Sequence, residues 1–292
     1  MVGVVIPTRD RREMVAEAVV SVLRQTRKPD EIVVVDDGSA DGTAEHLRRE
    51  FGDAIRVVST PPRGVAAARN LGVRSVRSRW VAFLDSDDLW LPRKLERQLE
   101  YLDRHPELRA CQTEEIWYRN GVRVEPRKYH AKPDGDIFFP SLHRCLVSPS
   151  AVLLDRALFE RLGGFDESLP ACEDYDLWLR LGCEERLGLV REPLVVKRGG
   201  HPDQLSRRFW GMDRFRVVAL LKLLLREPPL PPAHRRAVRE VLERKCGILA
   251  AGAEKRGRVE EAERYRALAR LGAARVSEAG EGAGEALLSG TG

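Results

Sequence analysis

Apolar and polar positions follow two alternating rhythms through the first third of the chain. Val2–Ile6 is a short continuous apolar run, the pattern of a strand buried on both faces. A helical spacing follows over Glu13–Gln25, with Val15, Ala18, Val19, Val22 and Leu23 on one face. The alternation continues with a strand at Ile32–Val35, a helix at Thr43–Glu50, a strand at Ile55–Val58, a helix at Arg63–Val76 and a strand at Trp80–Leu84. Strands and helices alternating at this length predict a parallel sheet with helices on both faces, and ligands beyond the carboxyl ends of the strands.

From Leu95 to about Gly200 the rhythm loosens. The pattern there predicts helices near Pro92–Asp103, Arg156–Leu162 and Tyr175–Gly182, and strands near Ala110–Tyr118, Ala151–Leu154, Leu187–Arg191 and Leu194–Lys197. Beyond Ser206 it is helical over Phe209–Arg226, Pro232–Ala251 and Val259–Leu271, with the first break at Pro228, Pro229, Pro231 and Pro232. The expected organisation is an α/β domain over 1–205, a helical C-terminal extension over 206–272 and a disordered tail, rich in Gly, Ala, Ser and Glu, over 273–292.

With 292 residues the chain is long enough for a full α/β core and an appendage. The net charge of +5 permits anionic partners without choosing among them. Five cysteines, without CxxC or Cys/His ligand spacing, read as reduced thiols in a cytoplasmic protein. The first residues read as a strand rather than a signal peptide, and no apolar run is long enough to span a bilayer.

Four segments that follow strands carry candidate chemistry. Pro7-Thr8-Arg9-Asp10 contains no glycine-rich phosphate loop, which disfavours dinucleotide-binding Rossmann enzymes and P-loop NTPases. In Asp36-Asp37-Gly38-Ser39, a carboxylate can accept the imide N–H of a uracil or thymine ring. Asp37 is the candidate, while Asp36 can fix the turn and Asp41 or Thr43 can cap the next helix. Asp85-Ser86-Asp87-Asp88 places three carboxylates in four residues, a repulsion that a divalent ion or hydrogen bonds must offset, and oxygen donors suit Mg²⁺ or Mn²⁺. Glu173-Asp174 stands at a helix start, where an acidic residue can cap the helix or deprotonate an acceptor hydroxyl.

The segments VVIPTRDR, SVLRQT, VVVDDGSADGT, GVAAARNLGV, FLDSDDLWLP, GGFDE and EDYDLWLRL occur in that order over about 2–206. In these the chain resembles family-2 glycosyltransferases of the GT-A fold, a Rossmann-like, mostly parallel sheet flanked by helices. The resemblance implies transfer of a sugar from a nucleotide-diphosphate donor, a UDP- or dTDP-sugar, to a carbohydrate, lipid-linked or other hydroxyl acceptor with inversion. It implies that Pro7, Thr8, Arg9 and Asp37 line the base and ribose site. Asp85 then faces ribose and metal with Ser86 on the donor side, Asp87 binds the metal, and Asp88 supports the turn. Asp174 becomes the general base, with Glu173 beside it. Arg69 either approaches the base or phosphates or lies on a helix surface. His201, on a loop after the last strand, either completes the metal shell or contacts the diphosphate, or is a plain polar residue.

Trp90 and Trp178 read as packing residues. The apolar stripe Phe215, Val217, Val218, Leu220, Leu221, Leu223, Leu224 and Leu225, flanked by arginines, either packs on neighbouring helices or rests on the inner face of a membrane. Nucleic acid is not expected as a partner. The rival to an enzyme is a non-catalytic nucleotide-sugar binding or scaffold protein, from which the presence of Asp174 distinguishes this chain.

Overall fold

The structure, a computed structural model, describes residues 1–125, 127–201 and 209–273. The early alternation is present as β1 (Val2–Thr8), α1 (Arg12–Leu23), β2 (Glu31–Asp36), α2 (Thr43–Phe51), β3 (Arg56–Ser59), α3 (Val65–Arg74) and β4 (Trp80–Phe83). There follow β5 (Leu89–Trp90), α4 (Lys94–Arg104), β6 (Ala110–Arg119), β7 (Val122–Val124), α5 (Phe138–Ser141), β8 (Val152–Asp155), α6 (Arg156–Arg161), α7 (Glu173–Gly182) and β9 (Gly188–Gly199). The last helices are α8 (Asp213–Leu225), α9 (Pro232–Lys255) and α10 (Val259–Ala273). The expected domain boundary at 205/206 lies outside the described residues, as does the expected tail over 273–292 apart from Ala273, which ends α10.

The strands form one sheet in the order β3-β2-β1-β4-β8-β6-β9-β5, with β7 paired to β6. β3, β2, β1 and β4 are parallel, β8 is antiparallel to both its neighbours, β9 is parallel to β6, and β5 is antiparallel to β9. Side chains alternate across the sheet. Val5, Val33, Val35, Val81 and Phe83 join the core under α3, α6 and α7, while Val4, Ile6, Val34, Ala82 and Leu84 join the core under α1 and α4. Gly72 brings α3 onto β1, since a Cβ there would stand 2.2 Å from Val5 Cγ1. The chain steps outward from β1 to β2 and β3, then returns to place β4 on the other side of β1. The carboxyl ends of β1 and β4 therefore border the crevice where open α/β sheets hold ligands.

Two local expectations change. β9 is one strand through Pro193, where two were expected. Register shifts around Glu114 absorb the residue that cannot donate a ladder hydrogen bond. Helix α7 begins at Glu173. Of the two readings of the α8 stripe, packing is the one seen for most of it: Phe215, Val217, Val218, Leu220, Leu223 and Leu224 are buried against Tyr175 and Leu179 of α7 and Val238 and Leu242 of α9, Leu221 is partly buried, and Leu225 stays exposed. Packing covers most of the surface that motivated a membrane contact, and no helix among the described residues is long and apolar enough to cross a membrane.

Candidate active site

The end of β1 meets the end of β2 in register, Thr8 opposite Asp36, and the Asp37 N–H donates to the Thr8 carbonyl at 2.9 Å. Pro7 and Thr8 are buried, and the Thr8 hydroxyl finds no hydrogen-bond partner among the described residues. A buried hydroxyl without a partner is costly unless a ligand or water meets it. Arg9 is half exposed and lies 3.6 Å from Asp10. Asp10 takes a left-handed backbone with φ of 50°, and its carboxylate accepts the Ala40 N–H at 2.7 Å, tying the two strand-end turns together. Asp36 accepts from the Ser39 N–H and hydroxyl, the turn role expected of it, while Asp41 accepts the Thr43 N–H at 3.0 Å from one residue before the N-cap of α2, Gly42. The two carboxylate oxygens of Asp37 accept the N–H groups of Arg63 at 2.7 Å and Gly64 at 2.9 Å, fixing the loop that enters α3.

The turn after β4 brings the carboxylates of Asp85, Asp87 and Asp88 together, with one oxygen of each within 4.8 Å of the others. The protein's own cations already surround them. Arg11 and His201 Nε2 reach Asp87 Oδ2 at 3.0 and 2.9 Å. Lys197 reaches Asp88 at 2.8 Å and Asp85 at 3.7 Å. Burial works against the charge of Asp85, yet Arg69, Lys197 and Arg11 hold it at about 2. Asp88 is pushed up to about 7 by burial and by Asp87 and Asp85, against the pull of Lys197. It accepts the Ser150 hydroxyl at 2.6 Å and the Arg198 N–H at 3.2 Å, which makes it the anchor of the turn. Ser86 is buried, and its hydroxyl accepts from Arg11 at 3.3 Å.

Arg69 is no surface residue. It is 4% exposed and donates to Asp85 at 2.7 Å and Glu173 at 2.6 Å, joining the β4 turn to the start of α7. Its neighbour Asn70 clamps the GGFDE turn, accepting the Phe165 N–H at 2.9 Å and donating to the Phe165 carbonyl at 2.8 Å. Burial and Asp174 push Glu173 up to about 7 although Arg69 opposes them. Asp174 is partly exposed; it accepts the Tyr175 N–H at 2.7 Å and the Cys145 thiol at 3.3 Å. Asp176 points elsewhere, pairing with Arg180 at 2.6 Å. Trp90 and Trp178 are buried in the sheet's two cores.

Arg11, Cys145, Ser150, Lys197 and Arg198 complete the cluster without having been singled out in the sequence. Only Lys197-Arg198 leaves a trace there, as charges ending an apolar strand.

The profile of glycosyl transferase family 2 matches residues 3–163, more than half of the chain. The chain belongs to this family. An uncharacterized glycosyltransferase of Rickettsia prowazekii is 34% identical over 204 residues, covering 68% of this chain and 64% of its own length. The chain spans from 64% down to 31% of the Rickettsia relatives it matches. The WfgD glucosyltransferase of Escherichia coli is 31% identical over 62% of this chain and 69% of its own, and its name gives UDP-glucose as donor and GlcNAc-diphosphoundecaprenol as acceptor. Staphylococcus aureus TarS, solved with UDP-GlcNAc, superposes with a TM-score of 0.63 at 17% identity, covering 93% of this chain and 92% of that one. That likeness establishes the GT-A fold. The family match stops at Gly163, before Glu173, Asp174 and His201.

Proposed function

We propose that this family-2 chain transfers a sugar from a nucleotide-diphosphate donor to an acceptor hydroxyl, with Asp174 as general base and inversion at the anomeric carbon. One observation carries the reading: Arg69 links Asp85, at the crevice end of β4, to Glu173, so that Asp174 stands one residue from a group tied to the aspartate cluster. The UDP-glucose in the name of WfgD and the UDP-GlcNAc bound to TarS support a UDP-sugar as donor. Pro7, Thr8, Arg9 and Asp37 line its base and ribose, and the unpartnered Thr8 hydroxyl offers a hydrogen bond there.

The donor set fits a hard divalent ion: carboxylate oxygens of Asp85 and Asp87 converge, with an imidazole nitrogen of His201 beside Asp87. Mn²⁺ or Mg²⁺ held there supplies charge neutralisation for the departing diphosphate. Asp174 takes the acceptor proton, and Arg69 and Glu173 hold the start of α7 against the donor side. Asp87→Ala should abolish metal-dependent turnover in a folded protein, checked by nucleotide-sugar consumption with Mn²⁺ and Mg²⁺. Full activity with unchanged metal dependence removes Asp87 from the site.

Asp37→Ala should weaken UDP binding at least about tenfold, since it loses a base contact and frees two loop amides, each worth about 1–3 kcal/mol when left unpaired. Calorimetric titration reads this directly, and equal affinity in parent and variant counts against the base-binding role. The broad test is a nucleotide-sugar screen with a mixed acceptor pool. Nucleotide binding without transfer to any acceptor would instead favour a scaffold protein.

A further inference from the structure

Two sets of residues connect the aspartate cluster with Asp174. Arg69 and Glu173 form one. The other is an arc that the proposed chemistry leaves unused. Lys197, bound to Asp88, is the register partner of Trp117 across β6 and β9. The His130 ring lies 4.9 Å from Trp117, and the Tyr129 ring 4.3 Å from His130. The Arg144 guanidinium lies over Tyr129 at 4.4 Å, and Arg127 approaches the same ring at 5.9 Å. The residue after Arg144 is Cys145, whose thiol meets Asp174.

The chemistry of this arc is distinctive. Tyr129 is 49% exposed, so a large aromatic side chain stands in solvent with two guanidinium groups near its ring. Most arginines near the site are neutralised, as Arg69 is by Asp85 and Glu173 and Arg11 by Asp87. Among the described residues the nearby carboxylates Glu125 and Glu115 pair with Arg123 and Lys132, and Arg127 and Arg144 form no ion pair. The buried Nδ1 of His130 also has no hydrogen-bond partner among the described residues. Burial, then Arg144 and Arg127, hold His130 below the usual imidazole range, in keeping with uncompensated positive charge. Aromatic side chains present an apolar face with a polar tip, as a sugar ring requires, and free guanidinium groups pair with phosphate or carboxylate through two parallel hydrogen bonds.

We propose that Trp117, Tyr129, His130, Arg127 and Arg144 form the acceptor side of the site and select a saccharide bearing an acidic group. The proposal rests on the reading of Asp174 as the base, because the arc ends beside it. The test uses the full chain, a labelled UDP-sugar and three acceptor types: a neutral disaccharide, a glucuronate-terminated disaccharide and GlcNAc-1-phosphate. The acidic acceptors should be preferred, and the two acidic arms show whether carboxylate or phosphate is the source of the charge. Arg127→Gln with Arg144→Gln should raise the acceptor KM for the preferred acid at least about tenfold, with donor KM within about twofold, and Arg144→Lys should recover part of the loss. Thermal melts confirm that the variants fold. A parent that uses neutral and acidic acceptors equally, or a double variant with unchanged acceptor KM, overturns the proposal while leaving sugar transfer intact. A parent that binds UDP but transfers to none of a broad acceptor pool overturns the transfer reading, and this proposal with it.

Discussion

Asp174→Asn is expected to slow sugar transfer at least about 100-fold, the lower end of what a general base contributes, while UDP affinity stays nearly constant. The substitution keeps the side chain's size and an oxygen that can accept the Tyr175 N–H, one of the two contacts holding the carboxylate. What it loses is the capacity to take a proton at neutral pH. The measurement is single-turnover transfer with saturating donor, paired with calorimetric UDP binding. Transfer at the parental rate would move the base elsewhere. Glu173 would be next, being buried beside Arg69 and pushed up to about 7. Asp176 would not, because Arg180 already holds its carboxylate and also binds the Gly164 carbonyl.

Arg69→Met should lower stability by about 3–5 kcal/mol, the usual cost of removing one partner from a buried ion pair. Asp85 and Glu173 would then share a poorly hydrated region without the cation that bridges them. Urea unfolding reads the loss, and adding Glu173→Gln should recover part of it, since the two sites are coupled. The deficit should also depend on pH. Glu173, raised to about 7 even with Arg69 present, is more easily protonated in the folded protein than in the unfolded chain. Its favourable share is therefore full below its unfolded value and lost as pH rises through the folded one. Without Arg69 the folded value climbs further, so the deficit should be smallest in acid and grow as the pH is raised. A pH-independent loss under 1 kcal/mol would make Arg69 a bystander.

The sequence alone determined much of this protein. The continuous apolar runs at Val2–Ile6 and Trp80–Leu84 and the helical spacing between them dictated the parallel half of the sheet, because a strand covered on both faces has no polar face to show. The order of the motifs pointed to the family, and the local chemistry of Asp36 and Asp41 was legible because an Asx side chain binds its own turn, two or three residues away. The antiparallel second half was less legible: Pro193 divides β9 in the sequence, and only the register shift opposite it shows the strand to be continuous. The α8 stripe had two readings until its neighbours filled it, since an apolar face is the same pattern whether lipid or another helix covers it. Arg69 was equally ambiguous at a helix position, and so was the charge balance around Asp85, Asp87 and Asp88. Their partners Arg11, Ser150, Lys197 and Glu173 come from distant parts of the chain, and ion pairing at such separations leaves no local period. Tertiary structure decided those contacts because charge is compensated through space, whereas a strand or a turn is specified by its own neighbours along the chain.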